Sequence, residues 1–558
     1  MRSLCDDERI CDVKDLEVAA ALVREGLAEA GLAAGDAMER VFPGERWLIF
    51  GVAPDSLAAA QSLAGTLEER LNADNFSEES SFVVMFRPVQ TEPSPPEDTR
   101  GVGRLRAPSI DRLIQLLEAR SRTSDALPSL RYMEDPRASL TAVGASRHQF
   151  IFGRRGVGKT ALLLEAKRQA ESRGALTVWV NAHILRELQP AQAASVMASL
   201  VLGSLGGHGG TTGSTIMQGV QSLVAAVDAL RNDSFAAEDQ LRSLIPDINQ
   251  AMRRVLSGDF LRLFIYVDDF YLVPTDNQAQ FLDYVAGMLR DSDAWLKVAS
   301  IERLTRPYEP STQRGLEIPH DASRMDLDIT LEDPGAAQSF LESVLVNYTE
   351  TAGVSSLRSI AKSEALGRLV LASGGVPRDY LNLFASSLVV AREARQDARE
   401  VGREDVAIAA GRSARTKKRD LELDVSSGRA EELLAALESL SAFVKGEGYA
   451  YFRVNVADKE HHAYELLSLL VDLRFAHLVQ ASLSDQHKSG VRYEAYILDL
   501  SEFADVRLKR GLNLLDLEAG RWTHRLTGQA KSAQELSTEQ LREKLRRSPV
   551  VSLDLLAK

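Results

Sequence analysis

The sequence predicts an α/β fold built on a largely parallel sheet, followed by a helical subdomain and a helix-plus-hairpin unit, with a small α/β unit in front. Three observations predict it. Between about residues 105 and 335, strand-like apolar runs alternate with helix-period segments, as in a parallel sheet covered on both faces. The stretch Gly153-Arg154-Arg155-Gly156-Val157-Gly158-Lys159-Thr160, continued by Ala161, fits G-x-x-x-x-G-K-[ST] without a mismatch. An apolar run, Phe264-Ile265-Tyr266-Val267, ends in the paired acids Asp268-Asp269.

The glycine loop is placed as its chemistry requires. A strand over 148–152 runs into it, and a helix over 160–173 leaves it and stops at Gly174, a residue suited to ending a helix. Glycines let the backbone wrap closely round phosphates, and the helix N-terminus adds partial positive charge. Lys159 is therefore expected at the β- and γ-phosphates of ATP, and the Thr160 hydroxyl on Mg²⁺. A carboxylate at the end of a neighbouring strand must hold the metal's hydration shell. By position Asp268 serves the metal, and Asp269 orients or activates the attacking water. Further strands are expected over 177–181, 296–300 and 327–331. Ser300, closing one of them, is within reach of the nucleotide. So is Arg378, which follows Gly374-Gly375-Val376-Pro377 on the first turn of a helix.

Length and composition bound the rest. With 558 residues, 45% hydrophobic and 26% charged, the chain is an ordinary globular one of several domains. No run of apolar residues is long enough for a transmembrane helix, and the acidic start is unlike a secretory signal. The only cysteines, Cys5 and Cys11, match no zinc or redox spacing. A reduced, cytoplasmic chain with no membrane contact is expected. The net charge of −13 is uneven, because residues 1–100 hold nine Lys and Arg against twenty Asp and Glu. Bulk charge thus neither supports nor excludes nucleic acid.

The expected organisation is an N-terminal α/β domain over 1–88, a Pro-containing linker over 89–104, and a phosphate-loop core over 105–333. A helical lid over 334–416, a winged helix over 417–510 and a helical basic tail over 511–558 follow. The glycine-rich stretch 203–214 reads as a loop. The winged-helix reading rests on helices near 430–445 and 460–475 followed by two strands, 477–483 and 491–500. The tail carries a capping box at Ser537-Thr538-Glu539-Gln540 and the basic cluster Arg542, Lys544, Arg546 and Arg547.

The loop, the Asp268-Asp269 pair and Arg378 in a helical lid resemble AAA+ ATPases. The winged-helix-like end is similar to the origin-recognition and replication-initiator branch. Tyr132-Met133-Glu134-Asp135-Pro136-Arg137, Leu470-Val471-Asp472-Leu473-Arg474-Phe475-Ala476-His477 and Arg492-Tyr493-Glu494-Ala495-Tyr496 resemble bacterial ATPases of that branch, which are often attached to mobile elements or anti-phage clusters. The resemblance covers about residues 130–510. It implies a slow, Mg²⁺-dependent ATPase that assembles with itself or with a partner effector and engages double-stranded DNA. Two departures stand out. Aspartate occupies position 269 where most such ATPases have glutamate, and an Asp-Asp pair is usual in signal-transduction ATPases with protein-binding flanks. The trans-acting arginine also stays open among Arg290, Arg303, Arg314 and Arg324. For DNA, the expected recognition helix over 461–475 offers Arg474, His461 and His462 but also Glu465 and Asp472. The hairpin turn with His487, Lys488 and Arg492, and the cluster Arg412, Arg415, Lys417, Lys418 and Arg419, are better suited electrostatically.

Overall fold

The computed structural model describes residues 18–42, 45–53, 56–73, 81–88, 104–121, 132–206, 214–230, 237–258, 261–424, 427–486, 488–504, 511–527 and 533–557. Two units separate at residue 98, Met1–Asp98 and Thr99–Lys558. The two cysteines, His487, most of the linker and residues 207–213 of the glycine-rich stretch lie outside the described residues.

The first unit holds helix α1 (18–29), β1 (Ala34–Phe42), β2 (Glu45–Val52), α2 (Leu57–Ala73) and β3 (Ser81–Pro88). Its sheet runs β1-β2-β3, antiparallel then parallel. Leu48, Phe50 and Val52 on β2 and Phe82, Val84 and Phe86 on β3 alternate toward one face, where both helices cover them. The sequence does not announce β1, which has a polar centre, Asp36 to Arg40.

In the second unit α3 (Pro108–Ser121) and the short α4 (Ser139–Val143) precede β4 (Gln149–Phe152) and α5 (Lys159–Ser172). Then come β5 (Leu176–Asn181), α6 (Pro190–Gly206), α7 (Ser214–Ala229), α8 (Ala237–Gly258) and β6 (Leu263–Asp268). They are followed by α9 (Thr275–Leu289), β7 (Ala294–Ser300), the small hairpin β8 (Tyr308–Glu309) and β9 (Arg314–Gly315), and β10 (Ser323–Asp326). The sheet order is β10-β4-β7-β6-β5, and every neighbouring pair is parallel. Every residue of β4 and β6 is buried, as strands covered on both faces demand. This order sets β4 and β6 on either side of β7, so the glycine loop, the end of β7 and the Asp268-Asp269 pair share the carboxyl edge of the sheet.

The edge strand differs from expectation. It runs through Ser323–Asp326, and after one last backbone bond, from the Leu327 N–H to the Phe152 carbonyl at 2.9 Å, residues 328–331 leave the sheet. Leu327 and Leu331 are buried and read like strand residues. Yet the backbone there is held by side chains: Arg137 donates to the carbonyls of Asp326 and Asp328, at 2.6 and 2.8 Å.

The lid consists of α10 (Pro334–Thr351), α11 (Ser363–Ser373), α12 (Pro377–Ala394) and α13 (Arg403–Asp424). Asp333 caps α10 by accepting from the Ala336 N–H, with Pro334 in the first turn. Helix α3 packs here rather than on the sheet. Leu105, Ile110, Leu113 and Leu117 join the lid's apolar core, and Arg392 pairs with Asp111 at 2.7 Å.

Behind the lid come α14 (Ser427–Gly446), β11 (Tyr451–Asn455), α15 (Tyr464–Asp472), β12 (Ala476–Ser484) and β13 (Arg492–Leu498). Their antiparallel sheet is ordered β11-β13-β12. Helix, strand, helix and a two-stranded hairpin follow one another in the order expected of a winged helix, and the unit is called that below. The expected recognition helix is shorter than its apolar pattern suggests: residues 456–460 form a separate 3₁₀ turn, and α15 starts only at Tyr464.

The expected helical tail is instead a second small sheet and a helix. After α16 (Ser501–Ala504), β14 (Asn513–Glu518), β15 (Arg521–Leu526) and β16 (Gln534–Glu535) pair in that order, and α17 (Thr538–Arg546) follows with its capping box intact. Alternation in β14 escapes notice because Asp516 sits among leucines. It is buried by pairing with two lid arginines, Arg368 at 2.8 Å and Arg403. Where α11 meets β14, Gly367 leaves no space: a Cβ there would lie 2.4 Å from the Leu517 carbonyl oxygen. Gly367→Ala is therefore expected to lower the unfolding free energy by about 1–3 kcal/mol, the usual cost of overpacking. Urea titration of both proteins checks this, and an unchanged midpoint would contradict the close contact.

Candidate nucleotide site

The loop between β4 and α5 has the backbone that phosphate binding needs. Gly156 and Gly158 have φ of 89° and 105°, a region that costs a residue with a Cβ about 1–2 kcal/mol. Gly158 stands before the first turn of α5, where the Leu162 N–H bonds back to it at 2.9 Å. Val157, 8% exposed, anchors the loop against Gly153 and the apolar layer beneath. Lys159 is 6% exposed, and its ammonium donates to the carbonyls of Gly153 and Arg154 at 2.7 and 3.1 Å. Burial pushes the Lys159 pKa down, against the pull of Asp328, Asp269 and Asp268. A buried cation inside a ring of backbone groups is suited to an anion entering the loop.

Across the sheet, Thr160 Oγ1 donates to Asp268 Oδ2 at 2.7 Å, bringing together two groups 108 residues apart. Asp268 is 2% exposed, and its other oxygen accepts the Asp269 N–H at 3.0 Å. Burial, then the neighbouring Asp269 charge, pushes the Asp268 pKa up. A carboxylate in this position gains most from a nearby divalent cation, so this donor set fits Mg²⁺. Asp269 takes a left-handed conformation with φ 53°, which aspartate tolerates better than most residues. It adjoins Tyr271, whose hydroxyl pKa is raised by burial and by Asp269, while the Arg155 guanidinium lies 5.4 Å over its ring. Ser300 is fully buried at the end of β7, paired in register with Phe152 just before the loop. Its hydroxyl is 2.6 Å from that of Thr305.

The lid closes on the loop from above. The Arg378 N–H donates to the Gly156 carbonyl at 3.2 Å, and the Arg378 Cβ would be 2.8 Å from any Cβ on Gly156. The Arg154 side chain links the loop to the segment after β10 and to the lid turn. The Arg154 backbone N–H and Nε bond Asp328 Oδ1 at 3.0 and 3.1 Å, and Nη2 reaches the Gly374 carbonyl at 3.1 Å. The winged helix meets the same edge. Asp472, ending α15, pairs with Arg303 beyond β7, and Arg474 pairs with Asp379, the neighbour of Arg378. His477 on β12 covers Gly374 so closely that a Cβ there would be 2.3 Å from its Nδ1.

Gly153 to Thr160, Asp268, Asp269, Ser300 and Arg378 thus converge on one edge, with Ala161 in the first turn of α5. Asp328, Tyr271 and His477 pack beside this edge, against Arg154, Asp269 and Gly374 respectively, and sequence reasoning gave none of them a place there. Of the four arginines open to a role in trans, Arg303 and Arg324 are engaged within the chain, the latter with Glu302.

The sheet order, glycine loop and lid define an α/β fold with a phosphate-loop core and a helical lid, followed by a helix-and-hairpin unit. No protein-family model matches the chain, and no curated protein matches it. Among solved structures it is similar to the Aeropyrum pernix Orc1 protein in complex with DNA, at 16% identity and TM-score 0.34 over 70% of this chain and 95% of that one. It is also similar to Cdc6p from Pyrobaculum aerophilum, at 12% identity and TM-score 0.32 over 68% and 94%. A Thermotoga maritima RuvB variant matches at 12% identity and TM-score 0.28 over 67% and 93%. At these scores the fold rests on the chain's own strand order.

Gly156→Ala is expected to cost about 1–3 kcal/mol, because the new methyl both strains the backbone and meets Arg378. Thermal unfolding measures it; a stability equal to wild type would mean that the lid does not sit on Gly156.

Proposed function

We propose that this chain is a Mg²⁺-dependent ATP-binding and hydrolysing switch whose nucleotide state reaches the winged helix through the lid, and that the winged-helix end engages double-stranded DNA. The observation that carries this is the direct bond from the lid's Arg378 N–H to the phosphate-loop carbonyl of Gly156. A lid held by the loop itself must respond when phosphates enter the loop.

In this reading Lys159 leaves the Gly153 and Arg154 carbonyls to hold the β- and γ-phosphates, while the loop N–H groups hold the remaining oxygens. Thr160 and Asp268 would hold Mg²⁺, which supplies charge neutralisation at the phosphates. Asp269, kept at the loop's side near Tyr271, accepts a proton from the attacking water. Being one methylene shorter than glutamate, it suits a slow ATPase. Arg378 and Ser300 register the γ-phosphate from the lid and from β7. Assembly with further copies or with an effector belongs to the same reading.

A second reading is a signal-transduction ATPase with protein-binding flanks. It is favoured by the acidic α15, whose Glu465 and Asp472 are ill suited to a DNA groove.

Lys159→Ala is expected to abolish ATP binding in a fluorescent-nucleotide titration; retained affinity would remove the loop from the site. Asp269→Asn is expected to keep binding but lower the steady-state ATPase rate by about 100-fold or more. A rate equal to wild type would leave Asp269 no part in hydrolysis. Gel shifts at low salt, with and without ATP, separate the readings, since an absence of any shift excludes DNA.

A further inference from the structure

We propose that DNA, in the reading above on which this rests, is held by a composite basic surface of the wing and the C-terminal helix α17, and not by the recognition helix α15. Three sets of observations point there.

The first concerns what α15 has left to offer. It is nine residues long, and Leu466, Leu467, Leu469 and Leu470 are buried in the core. Its two acids are both engaged, Glu465 with Arg429 at 2.7 Å and Asp472 with Arg303 of the ATPase core. A helix of this kind presents no cation to a phosphate, and its C-terminal end is tied to the core.

The second concerns the wing. Its strands β12 and β13 end at Ser484 and begin again at Arg492, which face each other in register. Lys488 in the turn and Arg492 are exposed, and neither forms an ion pair with a described residue.

The third concerns α17, which the chain adds beyond the winged helix. Leu541 and Leu545, one turn apart, are buried and seat the helix. The segment after it lines the edge of β11, with the Arg453 N–H donating to the Pro549 carbonyl at 3.0 Å and the Val551 N–H to the Arg453 carbonyl at 2.9 Å. Arg546 then reaches the wing, where its Nε donates to the Ser484 carbonyl at 3.1 Å. This sets its guanidinium one strand away from Arg492. Arg542, one turn earlier, is exposed, and neither it nor Lys544 forms an ion pair with a described residue. Arg547 is paired with Glu543 on the same helix. Lys488, Arg492, Arg542 and Arg546 therefore join two basic motifs, some fifty residues apart in sequence, through the contact of Arg546 with the wing. Cations carried by a helix and a hairpin that touch each other are suited to the phosphates of a duplex, and contacts of this kind position the duplex without reading its sequence.

The test uses the full chain and a labelled duplex, read by fluorescence anisotropy across a salt series. The triple variant Lys488→Glu, Arg492→Glu, Arg542→Glu is compared with Glu465→Gln and with wild type. All three substitutions in the triple variant fall on exposed side chains away from the nucleotide site, and nucleotide titration and thermal unfolding confirm an intact fold. The expected result is a loss of affinity of about tenfold or more. The slope of log affinity against log salt should shrink by about 0.9 for each phosphate contact removed, with Glu465→Gln near wild type. Unaltered affinity and slope in the triple variant, with wild type binding the duplex, overturn the surface assignment alone. No binding by wild type at low salt overturns the DNA reading and this surface with it.

Discussion

The arrangement of the second unit depends on the close approach of the lid to the phosphate loop at Gly156. A glycine there has both the positive φ the loop requires and no Cβ to meet Arg378, so the first turn of α12 can bond directly to the loop carbonyl. Nothing bulkier than a hydrogen fits between them. Gly374 and Gly375 repeat the principle at the turn before α12, where His477 and the Ile329 carbonyl oxygen would lie 2.3 Å from the added Cβ atoms. The loop, the segment after β10 and the lid turn thus come together at glycines, through the Arg378 N–H on the Gly156 carbonyl and the Ile329 carbonyl against Gly375.

The polar contacts around this point form a continuous path. Arg154 links the loop to Asp328 and to the Gly374 carbonyl. The winged helix attaches through Arg303–Asp472 and Arg474–Asp379. Each of these pairs starts within three residues of a group expected to feel the γ-phosphate, Ser300 in one case and Arg378 in the other. Asp472 shows the electrostatic cost of this attachment, because burial raises its pKa while Arg303 pulls it down.

The chain also uses pairing to bury acids that sequence inspection assigns to surfaces. Asp516 is held between Arg368 and Arg403, and Asp405 accepts a bidentate pair from Arg395 at 2.7 and 3.0 Å. These charges fasten the C-terminal sheet to the lid and α13 to the end of α12 within it, so the region after residue 510 is part of the lid's packing and of the wing's support. The basic cluster near its end is thereby placed on a rigid body.

By itself the sequence determined the glycine loop, the strand that enters it, the helix that leaves it, and Asp268-Asp269 at the end of β6. It also indicated the wing strands and the position of Arg378. These features are local. Each is a run of neighbouring residues whose conformational demands are legible in order: φ greater than zero at glycine, burial on both faces of a strand, a proline in the first turn of a helix. Only the tertiary structure decided that the Arg154 side chain joins Asp328 and the Gly374 carbonyl, that Tyr271 and His477 pack beside Asp269 and Gly374, and that α17 stands beside the wing. The polar edge strand β10 and the sheet β14-β15-β16 were likewise hidden. Their stability comes from partners far away in sequence, such as β4 for one and Arg368 and Arg403 for the other. No local pattern announces a contact whose two halves are more than a hundred residues apart, because the energy that makes it exists only once the chain has brought them together.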